Sequence, residues 1–311
     1  MKQQDHSFFD NDSVTTEAII SEEELHEAES RNEESVYTVQ IDNPIHIKGG
    51  LSSVIGSRSV QQDAARIDNE YMYQDNGVYL AVMCDGMGGL NGGEIASRLC
   101  VTKMFEAFYC VDVKGRVPEF FKFMIENLDK MVYNLTDDNN RPIHAGSTLT
   151  SIIIDGNLLY WAGVGDSRIY VKRGKEMVCV TQDHNYGYLL DKKVKEGKIS
   201  REEAMSDPQR EALISYMGIG GVTYMNINPH PFVLRNGDTV LLCSDGLYRA
   251  LSESEISRLI EIHHGDMQKL AEALTSAAIA KGKRHQDNTT AALVQYCENV
   301  NISAPFNMPI K

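Results

Sequence analysis

The sequence has one tryptophan, eight prolines and no apolar run near the length that crosses a bilayer. Its first residues are polar and acidic rather than signal-like, so neither a membrane span nor a secretory leader is expected. Six cysteines stand at 84, 100, 110, 179, 243 and 297 without a C-x-x-C pair. Two of them, Cys84 and Cys243, fall in apolar strand-like runs, and the expectation is reduced core or near-surface thiols in a cytoplasmic protein. The dinucleotide glycine fingerprint and the P-loop are both missing, which disfavours a nucleotide-binding α/β fold. Bases are scarce too, 30 Lys and Arg against 44 Asp and Glu. With no basic patch carrying interleaved aromatics, a nucleic-acid partner is not expected.

The acids are unevenly placed. Of the net charge of -14, residues 1–44 carry -10, from twelve acids and two bases (Lys2 and Arg31), and the rest of the chain about -4. Residues 1–44 therefore read as a flexible acidic extension. Capping-box spacing at Ser21 and Glu24 allows a short helix over 22–30, and Tyr37, Val39 and Ile41 alternate as a strand would. The length, in a sequence 42% hydrophobic, suits one large domain with extensions, or two small ones.

Apolar periodicity predicts strands over 51–57 and 79–85, then helices over 92–109 and 118–135. Strands follow over 147–154 and 158–163 around an Asp155-Gly156-Asn157 turn, and over 168–172 and 177–181 around Arg173-Gly174-Lys175. A polar insert with helical pieces at 186–196 and 201–205 comes next. Strand returns at Phe232 and 239–243, helices are predicted over 252–264 and 266–281, and a last strand over 289–295. Two groups of strands with paired helices between them give an α+β sandwich, sheet on sheet with helices outside.

One stretch organises the rest. The apolar run from Val78 to Cys84 ends in Asp85-Gly86-Met87-Gly88-Gly89, a carboxylate on the edge of the core beside glycines that let carbonyl oxygens approach a ligand. Asp-Gly recurs after the apolar run ending at Cys243, as Asp245-Gly246. Gln62-Asp63 is read as following a strand, Asp166 lies between two strands, and Asp287-Asn288 precedes one. Carboxylates at strand ends of one sandwich converge at one rim, where divalent ions relieve their repulsion. Asp85 is the natural bridging ligand, and Arg58 is a donor suited to phosphate. Two divalent ions about 3.5–4 Å apart activate a water for in-line attack on phosphorus.

These motifs resemble the metal-dependent serine/threonine protein phosphatases of the type 2C (PPM) family, bacterial members above all. They run in family order: Gly56-x-Arg58 with Gln62-Asp63, Asp85 to Gly89, Gly146-Ser147-Thr148, Gly165-Asp166-Ser167-Arg168, Thr181-x-Asp183-His184, Ser244-Asp245-Gly246 and Asp287-Asn288-x-Thr290. The resemblance covers about residues 45–297. It implies a four-layer α-β-β-α sandwich, a catalytic domain over 45–298 with a flap at about 186–222, and a tail over 299–311. It further implies that Asp85 bridges two Mn2+ or Mg2+ ions, that the Gly86 carbonyl completes one site, and that Asp245 and Asp287 hold the other. Asp63 would act through a water, and Arg58 would bind the substrate phosphate. Gln62 and Asn288 would support the ligands, and Asp166 with Asp245 would hold a third, weaker ion.

Three departures stand out. Met87 occupies the place of a histidine that many animal members have as proton source. Gln61 and Gln62 replace a usual asparagine and a frequent glutamate. Arg249 stands where some members carry a further acid, which counts against the third ion. The implied activity is hydrolysis of phosphoserine and phosphothreonine in a protein substrate, paired with a serine/threonine kinase. The alternative is a weak pseudophosphatase that scaffolds phosphoproteins, and it rests on Gln61-Gln62 alone. His184 is expected to fix a loop, His263-His264 to close a helix, His285 to lie in a loop, and Trp161 to enter the core.

Overall fold

The computed structural model describes residues 45–68, 77–88, 92–281 and 285–298. The acidic extension, the helix and strand expected within it, and the tail from 299 lie outside the described residues.

Strands that are apolar on both faces need cover on both, and that requirement builds the layers. In β3 (Val78–Gly88), Val78, Leu80, Val82 and Cys84 enter one apolar cluster, while Tyr79, Ala81 and Met83 enter another. The first cluster is shared with α1 (Gly92–Cys110) and α2 (Val117–Tyr133), through Met104, Phe105, Phe121 and Ile125. The second lies between two sheets. Across it stand Ile47 of β1 (Ile45–Val54), Leu242 of β11 (Thr239–Cys243) and Val294 of β12 (Thr289–Glu298). Leu241 and Leu293 turn outward to a third cluster with Ile256 and Ile260 of α6 (Glu253–Ile262) and Leu270 and Leu274 of α7 (Met267–Ala280). Three apolar clusters between four layers give helices, sheet, sheet, helices, as expected.

Among the described residues every strand pair is antiparallel. One sheet runs β1-β12-β11-β7-β8, with β7 at Arg168–Arg173 and β8 at Glu176–Cys179. The other runs β10-β6-β5-β3-β2, with β2 at Asp63–Ile67, β5 at Leu149–Asp155, β6 at Leu158–Val164 and β10 at Phe232–Val233. Short strands β4 (Ala145–Ser147) and β9 (Asn226–Ile227) join β3 and β6. Within the polar insert lie α3 (Tyr186–Lys195) and α4 (Arg201–Ser206), capped by the side chains of Asn185 and Ser200.

Four differences from the sequence reading bear on the site. The strand expected at 51–57 begins at Ile45 and stops at Val54. The strand expected over 147–154 is two, because β4 pairs with the far end of β3 before β5 begins. Asp63 does not follow a strand; it opens β2, whose Asp-Ala-Ala-Arg-Ile shows no strand period and is held by pairing with β3. β3 does not turn at Asp85 but runs on to Gly88, where φ becomes +141°. Gly86 is needed for close approach instead: a Cβ there would sit 2.1 Å from the Gly93 carbonyl oxygen at the start of α1.

Candidate active site

One edge of the sandwich collects the strand ends that carry acids. The register sets Asp63 of β2 opposite Asp85 of β3, and Thr289 of β12 opposite Val54 of β1. Asp287 lies just before β12, and Asp245 just after β11, as the first residue of the short helix α5 (Asp245–Tyr248). Gly246 repeats the demand made on Gly86, since a Cβ would meet the Asn288 carbonyl oxygen at 2.1 Å. Both Asp-Gly pairs thus let another backbone lie against the residue that follows the acid.

The sheets are joined beneath the acids by a polar seam. The Oδ2 of Asp63 accepts from the hydroxyls of Ser244 (2.8 Å) and Thr290 (2.7 Å) of the opposite sheet. Asn288 latches the loop before β2: its Oδ1 accepts the Gln62 N–H (2.8 Å), and its Nδ2 donates to the carbonyls of Ile55 and Val60. The Gln62 side chain donates to the Gly88 carbonyl (3.1 Å), and Gln61 donates to Ser53 and accepts from the Asp63 N–H. Thr148 accepts the Asp85 N–H (2.8 Å) and shares a hydrogen bond with Ser167. His184 accepts the Gly165 N–H on Nδ1 (3.2 Å), which fixes the loop ahead of Asp166. Burial holds its imidazole pKa down at about 4, so it is neutral there.

The electrostatics are those of crowded carboxylates. Burial raises Asp63 to about 6, opposed by its two hydroxyl bonds and reinforced by Asp245 and Asp287. Asp85 is pushed well above its ordinary value by burial, then by the charges of Asp63, Asp245, Asp166 and Asp287. Burial raises Asp166 to about 7, with Asp245 adding and Arg249 opposing. Asp245 is raised for the same first reason, against the pull of Arg249. The buried Oδ1 atoms of Asp63 and Asp245 have no hydrogen-bond partner. Two arginines enter the group. Arg58 donates to Asp287, and Arg249 contacts Asp245 (3.0 Å) and Asp166 (3.4 Å). Among the described residues no three acidic, histidine or cysteine side chains stand close enough to ligate one ion as arranged; these guanidinium groups lie among the carboxylates.

The structure therefore brings Arg58, Asp63, Asp85, Gly86, Asp166, Asp245 and Asp287 to one edge, with Gln62 and Asn288 behind them. Sequence reasoning missed Ser244, Thr148 and Thr290 as partners of the acids, although each lies in a motif it singled out. It also missed Glu211, whose carboxylate is 2.9 Å from Arg249, and no motif marks that residue. Of the other residues considered, His263 caps α6, His285 is exposed in a loop, and Trp161 packs half-buried at the edge of the inter-sheet cluster.

Residues 52–282 match the family profile described as protein phosphatase 2C. The protein phosphatase PhpP of Streptococcus pneumoniae is 31% identical over 250 residues, covering 80% of this chain and 96% of that protein. The solved serine/threonine phosphatase of S. agalactiae is 29% identical, with 80% of this chain and 99% of that one covered and a TM-score of 0.69. The catalytic domain of the serine/threonine phosphatase PstP, solved in complex with two manganese ions, shares the fold at 24% identity, with 81% and 99% coverage and a TM-score of 0.64. Sequence, layer order and the edge that gathers the acids agree: the chain belongs to the protein phosphatase 2C family of serine/threonine protein phosphatases.

Proposed function

We propose that the acid cluster hydrolyses phosphoserine and phosphothreonine in proteins, with two Mn2+ or Mg2+ ions held by Asp85, the Gly86 carbonyl, Asp245 and Asp287, and with Asp63 acting through a water. The observation that carries this reading is the pair of buried, unpartnered carboxylate oxygens on Asp63 and Asp245, in a cluster whose pKa values are raised by burial and mutual repulsion. A hard cation is the partner such oxygens fit. When bound, paired divalent ions supply a water of lowered pKa oriented for in-line attack on phosphorus.

The chain's own residues do the positioning. Asp63 is held by Ser244 and Thr290 with its free Oδ1 available to a water. Arg58, more than half exposed and resting on Asp287, is placed to transfer its donors to an incoming phosphate. Asn288 and Gln62 fix the loop that carries Asp63.

In the same reading, 45–298 is the catalytic domain, 186–222 the flap beside the cleft, and 1–44 and 299–311 are extensions. The partners are phosphorylated proteins, hence the products of a serine/threonine kinase. A cytoplasmic setting agrees with six free cysteines and with no described helix long and apolar enough to cross a membrane. The scaffold alternative gains no support, since the Gln62 side chain is spent on Gly88 and the acids remain together.

The test is hydrolysis of a phosphothreonine peptide with Mn2+, with Mg2+ and with EDTA. Metal-dependent turnover stopped by EDTA and lost in Asp245→Asn is expected; no turnover by folded protein with either metal would remove the reading.

A further inference from the structure

Arg249 closes α5, four residues after Asp245, and that spacing lays its guanidinium back over the acid. Its Nε stands 3.0 Å from Asp245 Oδ2, and its Nη2 is 3.4 Å from Asp166 Oδ2 and 2.9 Å from Glu211 Oε2. Asp166 and Asp245 are the pair on which the family resemblance would set a third ion; here they share a guanidinium. Glu211 belongs to the insert at 186–222. A polar cavity of about 670 Å³ is lined by Asp183, Asp191, Arg210, Glu211 and Arg249 among others, and the Arg249–Glu211 pair forms part of its wall.

The surroundings brace the arginine. The hydroxyl of Tyr248 donates to the Asp166 carbonyl (3.0 Å). Arg168 packs its guanidinium 3.8 Å over the Tyr248 ring and pairs with both oxygens of Asp183 (3.0 and 2.8 Å). Asp166, Tyr248 and Arg249 are thus fixed from two sides. A divalent ion entering between Asp166 and Asp245 would meet a fixed positive charge at contact distance, and like charges repel there.

We propose that Arg249 is this chain's built-in substitute for a third divalent ion and, through Glu211, the latch that holds the flap to the acid cluster. It is a positioning residue: its single positive charge offsets part of the charge of Asp166 and Asp245, and its Nη2 also reaches Glu211 on the flap. The substitution half rests on the two-ion reading above; the latch half rests on the ion pair alone. A guanidinium is covalently part of the chain, so this contact does not depend on metal concentration.

Two measurements on the full chain test this. Bound Mn2+ is counted by equilibrium dialysis from micromolar to millimolar metal for wild type, R249D and R249Q, each checked for fold by circular dichroism. Two ions are expected on wild type, and a third, weak ion on R249Q and R249D, bound more tightly by R249D. A third ion on wild type, or none gained by folded R249D, would overturn the substitution. Tryptic cleavage within the flap is then timed in wild type, E211Q, R249Q and the double variant. E211Q is expected to be cut about two- to fivefold faster, the yield of one exposed ion pair, R249Q at least as fast because it also strands Asp166 and Asp245, and the double no faster than R249Q. Cleavage of E211Q at the wild-type rate would overturn the latch. If wild type bound no ion at all, the two-ion reading would fall and the substitution with it, while the cleavage rates would still decide the latch.

Discussion

Two arginines enter the same cluster of acids and are held in opposite ways. Arg58 comes from the loop after β1, has 58% of its side chain exposed and rests on Asp287. Arg249 comes from the end of α5 and reaches Asp245, Asp166 and Glu211 together. An arginine with one partner and open solvent leaves that partner at little cost, because exposed ion pairs are weak. An arginine shared among three carboxylates, two of them well buried, cannot leave without stranding charge. The first arrangement suits a group that must transfer to a ligand; the second suits a group that belongs to the frame. Residue type alone does not separate the roles; burial and the number of partners do.

The comparison is broken most severely at Asp245, which holds Arg249 directly. Asp245→Asn removes a charge from a proposed metal ligand and loosens Arg249 together. Loss of metal-ion stabilisation is worth several kcal/mol, so kcat/KM for a phosphothreonine peptide should fall at least about 100-fold. A fall below threefold would show that the ions do not depend on Asp245. Arg58→Ala comes next. A hydrogen bond to a charged group contributes about 1.5–3 kcal/mol, so kcat/KM should fall about 10- to 100-fold while the count of bound Mn2+ stays the same. A changed ion count would move Arg58 into the frame with Arg249.

Why one arginine was legible in the sequence and the other was read only as a departure has a physical cause. Asp85 and Asp245 announce themselves because a strand apolar on both faces is a continuous run, and the acid that ends it breaks the run sharply. The layers follow from the same runs, and so four-layer packing could be expected before any contact was known. Arg58 sits in a local motif next to Asp63. β2 could not be read, because Asp63-Ala64-Ala65-Arg66-Ile67 has no period of its own and owes its extension to β3. Glu211 could not be read either, since its role depends on a partner 38 residues away across the flap. The polar seam was half legible: Ser244, Thr148 and Thr290 lie in recognisable motifs, but that Ser244 and Thr290 serve Asp63 depends on how the two sheets meet.

Ser244→Ala tests that seam at a smaller scale. It leaves Asp63 Oδ2 with Thr290 alone. Losing a bond to a buried carboxylate should cost on the order of 1–3 kcal/mol of stability and raise the Asp63 pKa further above 6. Denaturant unfolding of metal-free protein measures the first effect. A variant as stable as wild type would mean that Ser244 merely fills space between the sheets.

The gentlest perturbation is acid. His184 is buried neutral with its pKa lowered to about 4 from an ordinary 6.5, by burial first, with Asp183 opposing. A lowered histidine pKa means that the unfolded chain binds the proton more tightly, so stability rises with pH between about 4 and 6.5 and is lost as pH falls through that window. The linkage is at most ~3 kcal/mol from this one group. Asp63 and Asp166, whose pKa values are raised, push the other way over much the same range, because the folded state holds their protons more tightly. Total stability against pH therefore mixes two signs, and the informative quantity is a difference. His184→Gln can still accept the Gly165 N–H but cannot take up a proton, so wild type minus variant isolates the histidine. That difference should be flat above pH 7 and become increasingly unfavourable to wild type from about pH 6.5 to pH 4. A flat difference throughout would mean that His184 meets solvent well enough to carry its charge. The loop before Asp166, and with it the anchor beside Arg249, would then be held by packing rather than by this hydrogen bond.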